Sequence, residues 1–139
     1  MSGELRELVL RYGEEVWNQR RLDVIDEIFA ADHIYRDPLL TDLARGPEGV
    51  RRKVVAFTSA FPDSHVEFEF VVAEGEWAAL YWRYSGTHQG EMLGIPATGR
   101  HASAEGAHFC RGSEGKIVES RVVWNGLSFL QQLGLVTLG

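Results

Sequence analysis

The sequence predicts an α+β domain in which three N-terminal helices pack on one face of a curved antiparallel sheet. Apolar residues recur with helical spacing before Pro62 and with the two-residue spacing of strands after it. Helices followed by a run of neighbouring strands are typical of α+β folds, because such strands can pair in chain order. The 139 residues suffice for one domain with a single core, so we expect one domain over 1–139.

Three helices are predicted before Pro62. The first covers residues 4–18, where apolar side chains recur at i, i+3, i+4, i+7 and i+11. The second is short and carries its apolar stripe between Leu22 and Phe29. The third begins at Gly46-Pro47-Glu48, because glycine can cap a helix, proline suits its first turn and glutamate favours its positive end. Between them, residues 32–38 predict a short strand that Pro38 closes.

Four strands are predicted after residue 64. The apolar face of the first carries Val66, Phe68, Phe70 and Val72. The others are expected at 77–88, 101–111 and 116–125. A short helix from Leu127 to Leu133 then ends at Gly134.

The second and third of these strands are joined by a glycine-rich turn and predict one wall of a pocket. Period two places His88 on the same face as Trp82 and Tyr84, and His108 among the small residues of the returning strand. Small residues on a core-facing strand leave volume that large neighbours fill or a ligand occupies. The two histidines therefore either project into an apolar cavity or form ordinary hydrogen bonds in a packed core.

Composition and charge exclude several classes of function. A net charge of −6 argues against nucleic acid or an anionic membrane as partner. Cys110 is the single cysteine, so no intramolecular disulfide is possible and a small core residue is expected there. No apolar run approaches the roughly 20 residues of a membrane span, and the N-terminus lacks a signal-peptide core, so we expect a cytoplasmic protein.

The sequence lacks the motifs of metal, phosphate and nucleophile chemistry. It contains no HExxH, no paired CxxC, no glycine loop for phosphates and no nucleophile elbow. We therefore expect no metal and no cofactor. The remaining class is proton transfer in an apolar pocket, which needs a carboxylate or histidine of shifted pKa and a donor for a developing enolate.

Several segments together carry a family resemblance. In chain order these segments are WNQRRLDVIDEIFAADHIYRDP, GPEGVRRKVVAFTSAFPD, SGTHQGEMLGIPATGR, GAHFCR, GKIVE and FLQQLG. In this order and spacing they resemble the SnoaL-like polyketide cyclases of the nuclear-transport-factor-2-like superfamily. The resemblance implies a cone-shaped cavity within the curved sheet, a homodimer formed through the outer sheet face, and a small hydrophobic, polyketide-like carbonyl substrate. It implies cofactor-free proton transfer that closes a ring or isomerises the substrate.

The same resemblance assigns roles to three residues. Asp37 resembles the base of ketosteroid isomerases, although an Asp before Pro is equally a turn residue. His108 stands where those enzymes carry a protonated acid, and is expected as an enolate donor. The family aspartate that lies seven residues before the Gln of QLG corresponds here to Asn125, which cannot take a proton and is expected in the pocket as a second donor. His88 is the alternative base.

Aromatic side chains are expected to form the pocket walls for a flat ligand, although ordinary core packing would give the same pattern. These are Trp17, Tyr35, Phe57, Phe61, Trp82 and Tyr84. Glu105 and Arg111 are predicted to bind substrate as well, although Arg111 could instead pair with Glu105 or Glu119. The other histidines, His33, His65 and His101, are expected at solvent-facing or loop positions.

Two alternative functions would use the same predicted pocket. A non-catalytic binding or accessory protein would keep the cavity and lack the acid/base aspartate. A hydrolase or hydroxylase would use the same walls for a different reaction.

Overall fold

A computed structural model describes residues 2–41 and 43–137. The helix α1 (Ser2–Arg11) continues as a π-helix over Tyr12–Asn18. A 3-10 turn at Leu22–Val24 leads into the short helix α2 (Ile25–Ile28). Two further helices are α3 (Pro47–Ala60) and α4 (Gly126–Gln132). The strands are β1 (Phe29–Arg36), β2 (His65–Glu74), β3 (Trp77–Thr87), β4 (His101–Ser113) and β5 (Lys116–Trp124). The predicted α+β class is confirmed, with the helical N-terminal third and the predicted short helix near the C-terminus.

The five strands form one sheet in the order β1-β5-β4-β3-β2. The strands β2 to β5 pair antiparallel with their chain neighbours, which confirms the four-stranded core predicted after residue 64. The strand β1 adds to the open edge of β5 in parallel, with Tyr35 opposite Ser120. This pairing places the end of β1, and Asp37 beyond it, beside the inner face of the sheet.

The inner face of β2 differs from the sequence prediction. Val66 is buried and Phe68 half-buried as expected, but Phe70 and Val72 are 54% and 58% exposed. The pairing of β2 with β3 shifts between Phe68 and Phe70, which marks a β-bulge. An inserted residue reverses which side chains face inward, so Val71 takes the buried position after the bulge.

The small residues of β4 face inward, as predicted. Ala102, Gly106, His108 and Cys110 are buried, and Ala104 is half-buried. Gly106 permits two indole rings to meet above it. A Cβ there would lie 2.8 Å from the Trp82 ring and 2.5 Å from the Cβ of Trp124. The two ring centroids are 6.0 Å apart, at the rim of the space between sheet and helices.

His33 is buried, so its prediction as a solvent-facing or loop residue is wrong, whereas His65 and His101 are exposed as predicted. His33 has no exposed surface, because on β1 it alternates with exposed Asp32 and faces the helical layer. The exposed residue is instead its neighbour Asp32.

The outer face of the sheet carries several apolar side chains. Phe70, Val72, Phe109 and Val123 are between 41% and 64% exposed. Phe70 stacks on Tyr81 of β3 with ring centroids 6.0 Å apart. No helix among the described residues is both long enough and apolar enough to cross a membrane.

Candidate active site

An aromatic cavity of about 60 Å³ lies between the inner face of the sheet and the helices. Its walls come from α1's π-helical extension, β1, α3, the inner faces of β2 to β5, and α4. The lining residues are Tyr12, Trp17, Tyr35, Lys53, Phe57, Val66, Phe68, Trp82, Tyr84, Ala104, His108, Val122, Trp124 and Phe129. This volume holds a few water molecules, so a larger ligand requires side chains at the rim to move.

The charged group in the cavity wall is Lys53. Its Nζ lies 2.6 Å from Oδ2 of Asp37, and the two side chains are 9% and 1% exposed. Lys53 faces inward because it lies three residues after Val50 and four before Phe57, on the buried stripe of α3. A buried lysine is stable when it is paired and hydrogen-bonded, and Asp37 supplies both conditions.

Asp37 is held by several donors and does not itself line the cavity. Its Oδ1 accepts the backbone N–H groups of Leu39 at 2.9 Å and Leu40 at 3.3 Å, and lies 3.4 Å from the indole nitrogen of Trp124. Burial raises the pKa of Asp37, but the charge and hydrogen bond of Lys53, with the other donors, outweigh burial and lower it overall. Asp37 is thus an ionised anchor for Lys53.

Two tyrosines extend this polar group into the cavity. Lys53 Nζ donates to the hydroxyl of Tyr35 at 2.9 Å, and that hydroxyl lies 3.5 Å from the hydroxyl of Tyr12. Burial raises the pKa of both tyrosines, so both stay protonated near neutral pH. An ammonium group has three N–H donors. With Asp37 and Tyr35 bound, Lys53 has one donor left for a ligand oxygen.

His108 is the cavity's titratable ring. Burial, and then the positive charge of Lys53 and the nearby His33, lower the pKa of His108 to about 3, so the imidazole is neutral at physiological pH. Its ring stacks on Tyr35 with centroids 6.1 Å apart. Nε2 lies 3.3 Å from Sγ of Cys110, which leaves Nδ1 as the nitrogen for a ligand.

His88 does not line this cavity, so the prediction that it shares the cavity with His108 is wrong. It follows the last residue of β3, and the chain there turns into the loop that returns at Arg100. Its Nδ1 lies 3.0 Å from Oγ1 of Thr98 and accepts the Thr98 N–H at 3.2 Å, while its ring stacks on Phe61. His88 therefore holds the loop in place, as the ordinary-packing alternative predicted.

Asn125 also lies outside the cavity, contrary to the sequence analysis. It is exposed and precedes α4, where its Oδ1 accepts the N–H of Ser128 at 3.0 Å as an N-cap. The position on β5 that lies opposite His108 is Val122, which lines the cavity with an apolar side chain. Thus β5 presents no carboxylate to His108.

Five of the six predicted aromatic wall residues line the cavity: Trp17, Tyr35, Phe57, Trp82 and Tyr84. Phe61 is fully buried behind Tyr84, between His88 and Phe129, and is therefore core.

The two polar residues predicted to bind substrate lie on the outer face of the sheet, because they occupy odd positions of β4. Glu105 accepts a hydrogen bond from Tyr81 at 2.5 Å, and Arg111 pairs with Glu119 at 3.4 Å. The ion-pair alternative for Arg111 is therefore correct.

The sequence analysis missed Lys53, Tyr12 and Trp124. Lys53 could have been found, because a lysine on the apolar stripe of a helix needs a buried partner. Tyr12 lies on the apolar stripe predicted for residues 4–18, a pattern that does not distinguish a cavity wall from core. Trp124 gave no usable signal, since its half-buried orientation depends on Gly106 of the neighbouring strand.

The fold and this cavity define an α+β protein with an aromatic pocket between a five-stranded sheet and its helices, and with a buried Lys–Asp pair in the pocket wall. A sequence model of the SnoaL-like polyketide cyclases matches residues 7–133, so the chain belongs to this family. Within the described residues, no three His, Cys, Asp or Glu side chains group closely enough to hold a metal ion.

Sequence relatives agree with this membership, and solved structures share the fold. The chain is 32% identical over 124 residues to the aklanonic acid methyl ester cyclase DauD of Streptomyces sp. (strain C5), a match that covers 86% of this chain and 76% of DauD. TsrD from Streptomyces laurentii superposes with a TM-score of 0.87 at 23% identity over 98% of each chain. AclR from Streptomyces galilaeus, suggested to be a hydroxylase, superposes with a TM-score of 0.83 at 27% identity over 99% of this chain and 100% of AclR.

Proposed function

We propose that this protein is a polyketide cyclase that closes a ring on a hydrophobic carbonyl compound by cofactor-free proton transfer. The observation that carries the proposal is the pairing of a cation and a neutral imidazole in one aromatic cavity. Lys53 offers an unused N–H donor, and His108 offers Nδ1. A base and an oxyanion donor in a dry site are the two groups that enolate formation needs.

In this mechanism His108 is the base and Lys53 stabilises the enolate. Nδ1 of His108 takes the proton alpha to the substrate carbonyl, and the Lys53 ammonium donates to the carbonyl oxygen as negative charge develops there. The enolate carbon then attacks a second carbonyl of the same molecule, and the new alkoxide takes back from Nδ1 of His108 the proton that was removed in the first step. Asp37 acts as a positioning residue, because its oxygens are occupied by Lys53 and by the N–H groups of Leu39 and Leu40.

This assignment replaces the roles predicted from the sequence for Asp37, His88, His108 and Asn125. Asp37 is a candidate base in the sequence analysis, but its oxygens are occupied by Lys53 and by the N–H groups of Leu39 and Leu40, and it does not line the cavity. His88 and Asn125 have no access to the cavity from their positions in the fold.

A fused-ring substrate needs more room than the cavity provides. The rim consists of half-buried aromatic side chains, namely Trp17, Phe68, Trp82 and Trp124. Half-buried rings can turn outward at less cost than fully buried ones, because they break fewer packing contacts. We propose that the flat substrate enters between them and stacks on their faces.

The test is turnover of aklanonic acid methyl ester, the compound for which the relative DauD is named. We expect Lys53→Met to lower kcat/KM by about 10²–10³-fold, as removal of an oxyanion donor does. His108→Gln should lower kcat by about 10²–10⁴-fold, as loss of a general base does. The matched control is His65→Gln, which alters an exposed histidine on the first residue of β2. Equal rates for the native protein and both cavity variants would refute the mechanism.

A second candidate is a binding or accessory protein. Val122 opposite His108 favours it, because a catalytic carboxylate on β5 is missing from the cavity. This reading predicts tight binding of the polycyclic ester with no conversion by the native protein. The similarity to AclR supports a third candidate, a hydroxylase. An oxygenated product in place of the ring-closed product would favour that candidate.

We also propose that the protein is a cytoplasmic homodimer that pairs through the outer sheet face. That face exposes apolar side chains on β2 (Phe70 and Val72), on β4 (Phe109) and on β5 (Val123). Apolar surface of this kind on a sheet is stabilised when a second copy covers it.

A further inference from the structure

A row of buried polar side chains leads away from the cavity behind His108. Nε2 of His108 lies 3.3 Å from Sγ of Cys110. Cys110 on β4 is directly opposite Ser120 on β5. The hydroxyl of Ser120 lies 2.8 Å from Nε2 of His33 on β1. The row thus crosses three adjacent strands and joins two histidines.

These four side chains are almost inaccessible to solvent. Cys110, Ser120 and His33 have no exposed surface, and His108 is 3% exposed. Buried polar groups cost free energy compared with apolar residues of similar size unless they are hydrogen-bonded. Alanine or valine would pack at such positions on a core-facing strand. A polar row that starts at the proposed base, with Cys110 and Ser120 in register between the two histidines, therefore supports a role in moving protons.

We infer that Cys110, Ser120 and His33 form a proton relay that carries charge away from His108 during catalysis. The inference rests on the proposed role of His108 as base. His33 and the two small residues touch no substrate in this scheme, so they are positioning and relay residues.

The relay moves one proton at each link. Nδ1 of His108 takes the proton from the substrate carbon, whose electron pair becomes the enolate. The N–H at Nε2 of His108 passes its proton to Sγ of Cys110, and the thiol passes its own proton to Oγ of Ser120. The Ser120 hydroxyl proton then moves to Nε2 of His33. At the end His108 is neutral with its proton on Nδ1, and the positive charge is on His33.

Electrostatics favour this direction. A protonated His108 would face the ammonium of Lys53, which opposes its charge. The negative charges of Asp32, the neighbouring residue on β1, and of Glu119 on β5 instead favour a positive charge on His33. Burial remains the main influence on both rings, and it lowers the pKa of His33 to about 4, against about 3 for His108. The aromatic rings that pack on His33 are those of Phe29 and Tyr35, which carry no charge.

The relay also explains how one ring can serve both halves of an aldol closure. After the transfer, the Nδ1–H of His108 points at the substrate from the place where the lone pair took the first proton. It can therefore protonate the new alkoxide while the relay runs backward and returns the charge from His33.

The test compares Cys110→Ala with Cys110→Ser. Serine keeps a group that can both donate and accept, while alanine interrupts the row, and both are small. We expect Cys110→Ala, and likewise Ser120→Ala, to lower kcat at least about tenfold, a fraction of the 10²–10⁴ that general acid–base catalysis supplies. Their KM should stay within twofold of the native value. Cys110→Ser should keep kcat within threefold of native, and the solvent isotope effect on kcat should fall in the interrupted variants only.

A second readout does not depend on turnover. Nitrogen NMR of the labelled imidazoles reports which ring nitrogen carries the proton. We expect the Nε2–H form of His108 in the native protein and in Cys110→Ser, and a mixture of the two forms in Cys110→Ala. Thermal unfolding of each variant verifies that the fold is intact.

The outcomes separate the relay from the proposed function. If His108→Gln abolishes turnover while Cys110→Ala and Ser120→Ala match native kinetics, the relay is refuted and the base assignment stands. If His108→Gln has no effect, the base assignment fails and the relay with it. If the native protein converts no ester and the protonation of His108 is the same in Cys110→Ala and Cys110→Ser, the relay is refuted as well.

Discussion

Lys53 Nζ and Asp37 Oδ2 lie 2.6 Å apart at the wall of an aromatic cavity, with side chains 9% and 1% exposed. The lysine comes from the middle of α3 and the aspartate from just beyond β1, so the contact joins the helical layer to the edge of the sheet. It also sets the electrostatics of the site, because the same ammonium bonds Tyr35 and disfavours charge on His108.

Breaking this pair should destabilise the protein. Lys53→Met leaves the Asp37 carboxylate buried without its cation, and loss of one partner of a buried pair costs about 3–5 kcal/mol. We expect that loss in the free energy of unfolding at pH 7, measured with urea. The double variant Lys53→Met/Asp37→Asn should recover part of the loss, because no uncompensated charge remains. An equal loss in the single and the double variant would contradict this account.

The stability of the native protein should fall as the pH falls from about 6.5 toward 4. The folded-state pKa values of His33 and His108 are lowered to about 4 and about 3, below the value of about 6.5 for an unfolded histidine. In this window the unfolded chain binds protons that the folded chain refuses, so each histidine contributes a slope of up to about 1.4 kcal/mol per pH unit. Above pH 6.5 both are neutral in both states and the contribution is constant.

Urea unfolding at pH 7.0, 6.0 and 5.0 would measure this slope. His108→Gln should reduce the slope by the contribution of that one histidine. Asp37 adds a further loss only at lower pH, since its lowered pKa contributes stability that disappears as the pH falls below the unfolded value of about 3.9. A flat profile between pH 7 and 5 would contradict the burial of neutral histidines.

Asn125 should contribute to the stability of the helix that it caps and should not affect the rate of catalysis. Asn125→Ala removes the acceptor of the Ser128 N–H and should cost about 1 kcal/mol of stability. Asn125→Asp keeps an N-cap oxygen, so we expect nearly native stability and unchanged turnover of aklanonic acid methyl ester. A gain of activity in Asn125→Asp would show that this side chain reaches the cavity after all.

The outer face of the sheet should govern association. We expect sedimentation to give a dimer for the native protein and a monomer for Val123→Glu, because the variant places a charge on the apolar face where Val123 is 64% exposed. The matched control is Leu10→Glu on α1, where the leucine is 39% exposed away from that face. A monomeric native protein, or a dimeric Val123→Glu, would refute pairing through this surface.

The candidate site was only partly predictable. Period two placed His108 and the aromatic residues Trp82 and Tyr84 on inward faces, and they line the cavity. It also placed His88 on the buried side, where the ring stacks on Phe61, but it could not predict that this residue lies past the cavity and is held by the returning loop at Thr98. The family spacing failed for Asn125, because the strand ends at Trp124 and the next side chain caps a helix.

The sequence by itself determined the class of fold, the order of its elements and the inward face of β4. Those features follow from periodicity, which depends only on the geometry of residues close together in the chain. The tertiary structure alone decided the bulge that turns Phe70 and Val72 outward, and the meeting of Lys53 with Asp37 and of His108 with Cys110 and Ser120. The physical reason is that such contacts join residues far apart in sequence. Their partners are selected by the packing of whole strands and helices, so no local pattern specifies them.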